Sequence, residues 1–225
     1  MAIALDATST YKSGTTSITW AHTCSGVNRL LTVTFYVQGP AYTSATVATY
    51  NGVSMITAAS DGIGDGTYNT WNRVFYLVAP ADGTHNVVLT TTFASLGRAI
   101  SRSWTGVDQS TPVGTVGMNR GRFGSPTLTM ASAVGEVVLD STGANTTRIV
   151  AATGGQTDPI KSEGASNSYA ANAYEPGAAS VTMSWSVSSP SLWVEHGLPI
   201  KPASDGGGFA GVGGLFLGKT GGLIR

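Results

Sequence analysis

The chain contains a single cysteine, Cys24, so it cannot form an internal disulfide and lacks the paired cysteines of a zinc motif. Charge is also scarce, because Lys, Arg, Asp and Glu make up 11% of the residues, against about 25% in an average soluble domain. Twelve basic and twelve acidic side chains balance, so the overall charge gives no attraction to nucleic acid. The first residues lack the basic region and apolar run of a secretory signal, and no apolar run reaches the length of a membrane span, so we expect neither.

Glycine, threonine and serine take the place of the missing charge, and 30 residues are glycine. Threonine favours half-buried pleated surfaces, and glycine and serine favour the turns between them. Strand-like runs recur about every ten residues, and Leu30 to Val37 alternates most clearly. Asn51-Gly52 lies between two such runs and predicts a type I′ hairpin, because both turn positions require a positive φ.

The secondary structure of three segments is harder to predict. Ser95 to Trp104 has some helical spacing, but Gly97 interrupts it and the alternation of Ile100 with Trp104 favours a strand. Gly106–Ser125 and Gly154–Ala179 are predicted to be long loops, which tend to be functional or disordered. No convincing internal repeat is visible.

About a dozen short strands predict an all-β chain, an antiparallel β-sandwich of jelly-roll type. We expect one sandwich domain over residues 1–203. Residues 204–225 form a Gly-rich, apolar C-terminal arm.

Catalytic and cofactor motifs are weak. The G-x-G-x-x-G match at 206–211 lies in the glycine-rich arm, without the strand and helix that nucleotide binding requires. Asp61 and Asp65 flank a glycine-rich stretch that predicts an ordinary turn, since the oxygen ligands of a calcium loop are too few. The histidines are scattered, and His22 and His196 fall in apolar alternation. We therefore expect no enzyme activity, no cofactor and no metal.

The aromatic residues divide into two groups. Four tryptophans fall within apolar alternation and are predicted to lie in the core: Trp20, Trp104, Trp185 and Trp193. Several tyrosines, including Tyr169 and Tyr174, fall in the predicted loops. Exposed aromatic rings of this kind suit a glycan-stacking surface or a protein interface, and partly buried loop anchors are the alternative.

Two further segments are candidate interfaces. Arg120 and Arg122 lie in a short basic stretch that lacks the repeats of an RNA-binding segment and is better suited to meeting a carboxylate between subunits. The arm separates apolar side chains with glycines, so ordering it alone is costly and a partner's groove would offset that cost. Its predicted contact residues are Phe209, Leu215, Phe216, Leu217, Leu223 and Ile224.

Several phrases resemble landmarks of a loosely characterised, jelly-roll-like β-sandwich domain of tailed-phage structural proteins and bacterial surface proteins. They are the segments at 17–26, 28–31, 50–53, 76–78, 83–85, 104–114 and 200–203, and the resemblance covers about residues 3–203. It brings no catalytic residues with it. It implies the fold and one of these two settings.

We therefore expect a non-catalytic virion protein of a tailed bacteriophage, either a capsid decoration protein or a tail-associated subunit. Its expected partners are other copies of itself and neighbouring virion proteins, with no nucleic acid and no membrane span. It would be made in the host cytoplasm and incorporated into the virion. The alternative is a carbohydrate-binding adhesion module that stacks a cell-surface glycan on its loop aromatics.

Overall fold

The computed structural model describes residues 1–13, 17–39, 47–65, 69–91, 96–145, 149–162, 168–189 and 192–204. The chain is all-β, as predicted, and its strands form antiparallel sheets. None of the described residues forms a helix long and apolar enough to cross a membrane. The strands are β1 (Ala4–Ser13), β2 (Ser17–Cys24), β3 (Leu30–Gly39), β4 (Val47–Tyr50), β5 (Val53–Ser54), β6 (Ile56–Gly64), β7 (Asn69–Val78), β8 (Gly83–Thr90), β9 (Leu96–Thr105), β10 (Gly117–Gly121), β11 (Thr127–Met130), β12 (Val137–Asn145), β13 (Ile149–Ala152), β14 (Thr157–Ser162), β15 (Ser168–Pro176), β16 (Val181–Val187) and β17 (Leu192–Ile200).

In the first half of the chain, residues 1–105, early strands pair with late ones in a nested order. β1 pairs with β9, β2 with β8 and β3 with β7, while β4 and β5 form the hairpin where the chain turns back. Two sheets result, with strand orders β1-β9-β3-β7-β6 and β2-β8-β4-β5. Neighbouring strands therefore come from distant parts of the sequence.

The second half, residues 117–200, repeats this strand order, except that its described residues include no counterpart of β5. Its sheets are β10-β17-β12-β15-β14 and β11-β16-β13. The orders coincide when β10 is matched with β1, β12 with β3, and β17 with β9. The repeat was not recognised in the sequence, because a strand order can be kept by side chains that share only their pattern of burial.

Pairing registers match position by position between the halves. Leu30 pairs with Trp104 as Val137 pairs with Ile200. Counting from these pairs assigns each residue of β3 and β9 a counterpart in β12 and β17.

The edge strands β6 and β14 occupy matching positions in the two five-stranded sheets, and the pairing of each is irregular. The register shifts between Thr57 and Ala59 in β6, and between Thr157 and Ile160 in β14. In β14, Asp158 adopts a positive φ of 48° within this irregularity. A bulge of this kind bends an edge strand and interrupts its pairing.

The sheets stack in layers, with the two five-stranded sheets in contact with each other. Successive side chains of β3 point to opposite faces of its sheet and pack into different cores. Val33 and Phe35 pack into a core shared with the four-stranded sheet. Leu30 packs against side chains of β12 and β17, and Tyr36 packs against Ala170 of β15. Both faces of β3 are therefore buried.

Directional polar contacts join the two five-stranded sheets. Asn72 Nδ2 donates to the Ser141 carbonyl oxygen at 2.8 Å. The buried Arg102 guanidinium donates from Nε to Asn172 Oδ1 at 2.5 Å and from NH1 to Asp158 Oδ2 at 2.6 Å. A buried cation is tolerated when its donors are met in this way. The halves are thus held in one relative position by hydrogen bonds as well as by apolar packing.

Several local predictions are confirmed. Asn51 and Gly52 have φ values of 49° and 77° at the β4–β5 turn, as a type I′ hairpin requires. Residues 96–105 form a strand, β9, rather than a helix. The four tryptophans predicted to be core are all buried: Trp20, Trp104, Trp185 and Trp193.

The prediction of two long loops is wrong. The interval 106–125 contains β10, and the interval 154–179 contains β14 and β15. β15 contains three alanines and one asparagine, residue types that rarely signal a strand. It forms because β12 pairs with one of its edges and β14 with the other. β12 is distant in the sequence, and the register of the pairing with β14 is irregular, so neither partner was evident from the sequence.

Candidate functional site

The last described residues, near Ala203, are hydrogen-bonded to Met1 and to Gly106. The amino group of Met1 donates to the Ala203 carbonyl oxygen at 3.0 Å, and Ala203 N donates to the Gly106 carbonyl oxygen at 2.8 Å. Lys201 N donates to the Pro112 carbonyl oxygen at 2.8 Å. We call this region, around Met1, Gly106, Lys201 and Ala203, the exit end. The arm begins from an anchored position.

A hollow of about 390 Å³ lies next to the exit end, and we call it the exit hollow. Glu136 Oε2 accepts hydrogen bonds from Ser132 Oγ at 2.6 Å and from Ala133 N at 3.0 Å. Beside these residues Val134 is 92% exposed. Small side chains dominate its lining: Gly114, Thr115, Ala131, Ser132, Ala133, Glu136, Pro199 and Lys201.

The predicted contact residues of the arm lie outside the described residues, so their role stays a prediction. They are Phe209, Leu215, Phe216, Leu217, Leu223 and Ile224.

Arg120 and Arg122 make their contacts within the chain. Arg120 NH1 lies 2.6 Å from Asp61 Oδ1 and donates to the Gly62 carbonyl oxygen at 2.6 Å. Arg122 NH2 donates to the Gly64 carbonyl oxygen. These bonds join the region of β10 to β6 of the first half. The Arg120 side chain remains 52% exposed, and its predicted role between subunits stays a prediction.

The segment around Asp61 is a strand rather than the predicted turn, since β6 continues to Gly64. Asp61 Oδ1 accepts hydrogen bonds from Gly62 N and from Arg120. Among the residues that the structure describes, no group of three or more His, Cys, Asp or Glu side chains lies close enough together to hold a metal ion.

Tyr169 and Tyr174 lie on strand β15 rather than in a loop. The Tyr174 ring meets Trp104 edge to face, with ring centroids 5.3 Å apart. The Arg102 guanidinium carbon lies 5.6 Å from the centre of the same ring. Tyr169 packs beside the core cluster that contains Trp185. Both tyrosines therefore serve, at least in part, as packed side chains.

Two carboxyl groups meet inside the second half, and sequence reasoning missed them. Asp140 lies on β12 and Glu195 on the adjacent β17, and both are fully buried. Asp140 Oδ2 accepts hydrogen bonds from Trp185 Nε1 at 2.5 Å and from Gln156 Nε2 at 2.8 Å. We call Asp140 and Glu195 the acid pair.

Burial governs the protonation of the acid pair. It raises the pKa of Asp140 to about 7. Burial, together with the neighbouring charge of Asp140, raises the pKa of Glu195 well above its ordinary value. Two enclosed carboxyl groups cannot readily both be ionised, so the pair retains a proton at neutral pH. Because the pair is buried, its protonation affects the stability of the fold.

The first half has apolar residues at the matching positions. By the match set above, Val33 corresponds to Asp140 and Ala99 to Glu195, and both belong to an apolar core. The acid pair is therefore not required by the strand order. One signal in the sequence was available, because Val138 and Asp140 have the two-residue spacing that places side chains on one face of a strand.

His22 is buried and lies in a polar network at the edge of the first half. Its Nδ1 is 2.8 Å from Ser9 Oγ, and burial lowers its pKa to about 4. Asp6 accepts hydrogen bonds from Ser25 and Ser103. A hydrolytic triad places the carboxylate at Nδ1 and the serine at Nε2. The serine at Nδ1 is inconsistent with that arrangement.

Neither a scan against protein-family models, nor a search of curated proteins, nor a search of solved structures finds a match for this chain.

Proposed function

We propose that this chain is a non-catalytic structural protein of a tailed-bacteriophage virion, a capsid decoration or tail-associated subunit. It associates with copies of itself and with neighbouring virion proteins, and it docks through its C-terminal arm. It is made in the host cytoplasm and incorporated into the particle.

The nested strand pairing supports a jelly-roll assignment within this proposal. In a jelly roll a long antiparallel pair of chain segments wraps into two facing sheets, so that first strands pair with last. β1 with β9, β2 with β8 and β3 with β7 follow this order, and β10 with β17, β11 with β16 and β12 with β15 follow it again. Jelly rolls are common in viral capsid proteins and in lectins.

The observation that carries the proposal is the anchored exit end. All the described sheets are assembled from strands within residues 4–200. Hydrogen bonds of Met1 and Gly106 then hold Ala203 in place. The arm is therefore not needed to complete any described sheet, and we propose that its apolar side chains bury against a neighbour.

The alternative, a carbohydrate-binding module that stacks sugars on loop aromatics, has less support. Tyr169 and Tyr174 lie on a strand, and the Tyr174 ring is engaged by Trp104 and Arg102. We therefore do not base a second function on these two tyrosines.

Deleting residues 205–225 is expected to leave a folded, soluble protein with an unchanged thermal midpoint, because the described strands remain intact. The deletion should abolish self-association and incorporation into particles. Burying one Phe or Leu side chain contributes about 1.5–3 kcal/mol, so losing several should weaken association at least about a hundredfold. Sedimentation analysis and particle reconstitution measure this.

A full-length control separates the role of the apolar side chains from that of chain length. Serine at Phe209, Leu215, Phe216, Leu217, Leu223 and Ile224 should reproduce the deletion, whereas serine at Lys219 and Arg225 should have a small effect. Wild-type association of the truncated chain would refute docking through the arm.

A further inference from the structure

The outer face of the sheet β2-β8-β4-β5 is uncharged and rich in hydroxyl groups. None of its described residues is charged, although the chain carries twelve basic and twelve acidic side chains. The lack of charge is in keeping with a chain in which only 11% of the residues are charged. Most residues of this face carry a hydroxyl group, namely Ser17, Thr19, Thr23, Thr49, Ser54, Thr84 and Thr90; Asn86 carries an amide, and Ala21, Val47 and Val88 are aliphatic.

A hollow of about 440 Å³ lies on this face, beside the β4–β5 turn. Its size falls within the range of about 300–1,000 Å³ that is typical of ligand sites. We call it the hairpin hollow, and Gly52 contributes to its wall. The side chains that line it are Thr49, Asn51, Thr84, His85, Asn86 and Val88.

The walls of the hairpin hollow are held in place. Asn51 N donates to the Asn86 carbonyl oxygen at 3.1 Å, which fixes the turn against β8. The hydroxyls of Thr23 and Thr84 lie 2.8 Å apart and are hydrogen-bonded. The type I′ turn at Asn51-Gly52 has little conformational freedom. A ligand would therefore meet a largely preformed surface.

The polar groups of the hollow are available to a ligand. The side-chain amides of Asn51 and Asn86 make no hydrogen bond to another residue that the structure describes, and each carries donors and an acceptor. His85 Nε2 lies 2.9 Å from the Asp82 carbonyl oxygen. Since a carbonyl only accepts, Nε2 carries a proton and donates to it.

We propose that the hairpin hollow binds a neutral glycan, with Asn51 and Asn86 as its main hydrogen-bonding residues. The pattern of uncharged donors and acceptors matches neighbouring sugar hydroxyls. An anionic ligand would lose hydration without gaining a cationic partner from the side chains that line the hollow. An apolar ligand would leave the two amides unpaired. This inference does not depend on the virion proposal.

The test uses the full-length chain and two variants. Asn51→Gly removes one amide while keeping a residue that suits the turn, and Asn86→Ala removes the other. Oligomers of glucose, galactose, mannose and N-acetylglucosamine, with sulfated counterparts, serve as probes in a glycan array. Titration followed by amide chemical shifts then measures affinity. At least one neutral oligomer should bind, and the double variant should bind it about tenfold or more weakly.

Thr182→Ala provides a matched control, because the Thr129–Thr182 hydroxyl pair lies on the corresponding outer face of the second half. This variant should bind as the wild type does, and all variants should keep the wild-type thermal midpoint. The proposal is overturned if no neutral oligomer binds up to millimolar concentration. It is equally overturned if sulfated probes bind better, or if the folded double variant retains full affinity.

Discussion

Replacing Glu195 by glutamine should stabilise the protein at and above neutral pH and flatten its loss of stability toward alkaline pH. The folded acid pair holds its protons more tightly than the unfolded chain does, because burial raises both pKa values. The free energy of unfolding that the acid pair contributes is therefore fully present below the ordinary carboxyl pKa, near 4. It is lost as the pH rises through the pKa values of the folded state.

The magnitude follows from the linkage between protonation and folding. Each pKa unit corresponds to about 1.4 kcal/mol. Because the pKa of Asp140 rises from 3.8 to about 7 on folding, the free energy of unfolding falls by on the order of 4 kcal/mol between about pH 4 and pH 7. Glutamine at 195 has the shape of a protonated glutamate and can donate to Asp140, but it cannot ionise. It should abolish the contribution of Glu195, while burial continues to raise the pKa of Asp140.

Urea unfolding from about pH 4 to pH 9, followed by tryptophan fluorescence, tests this prediction, since Trp185 donates directly to Asp140. Asp82→Asn is the charge-matched control, because the Asp82 side chain is 70% exposed. Its effect should stay within about 0.5 kcal/mol. If Glu195→Gln has the same pH profile as the wild type, the acid pair does not govern alkaline stability.

Replacing Gly143 by alanine should destabilise the protein by about 3 kcal/mol, the upper part of the range for overpacked cores. A Cβ at this position would overlap the Tyr36 ring, with Cε2 and Cγ only 2.8 Å away. Tyr36 is buried and packs with Ile100 and Ala170 across the contact between the halves. The ring therefore has little room to retreat. Thermal and urea unfolding measure the loss.

A double-mutant cycle identifies the cause of that loss. Tyr36→Leu alone should be destabilising because the shorter side chain leaves a cavity. Combined with Gly143→Ala, it should cost less than the sum, with a coupling of about 0.5–3 kcal/mol. Gly155→Ala is the control, because its Cβ would meet its nearest neighbour at an ordinary 3.5 Å. If the free-energy changes of the two single variants add strictly in the double variant, the Tyr36 ring is not what excludes a larger side chain at residue 143.

Local structure was predictable wherever one stretch of sequence contains its own cause. The Asn51-Gly52 turn follows from the φ angles that these two residues tolerate. The alternation in β3 reports burial directly, because successive side chains point to opposite faces. The burial of Asp140 was also within reach, since it shares the face of Val138 in the same strand.

Other features depend on residues that meet only in the folded chain. β15 has a weak strand signal and forms between β12 and β14. Arg120 finds the carboxylate of Asp61 within its own chain, although its local sequence predicts a contact between subunits. The acid pair depends on the pairing of β12 with β17, which no local pattern reveals.

By itself the sequence determined the all-β class, the hairpin at Asn51 and the burial of the four core tryptophans, because residue preference and alternation act over a few neighbouring positions. Only the tertiary structure decided the repeated strand order, the contact between the two halves and the hairpin hollow. These arise from pairing between distant strands. Such pairing is set by the packing of whole sheets, so different side chains can satisfy it in each half.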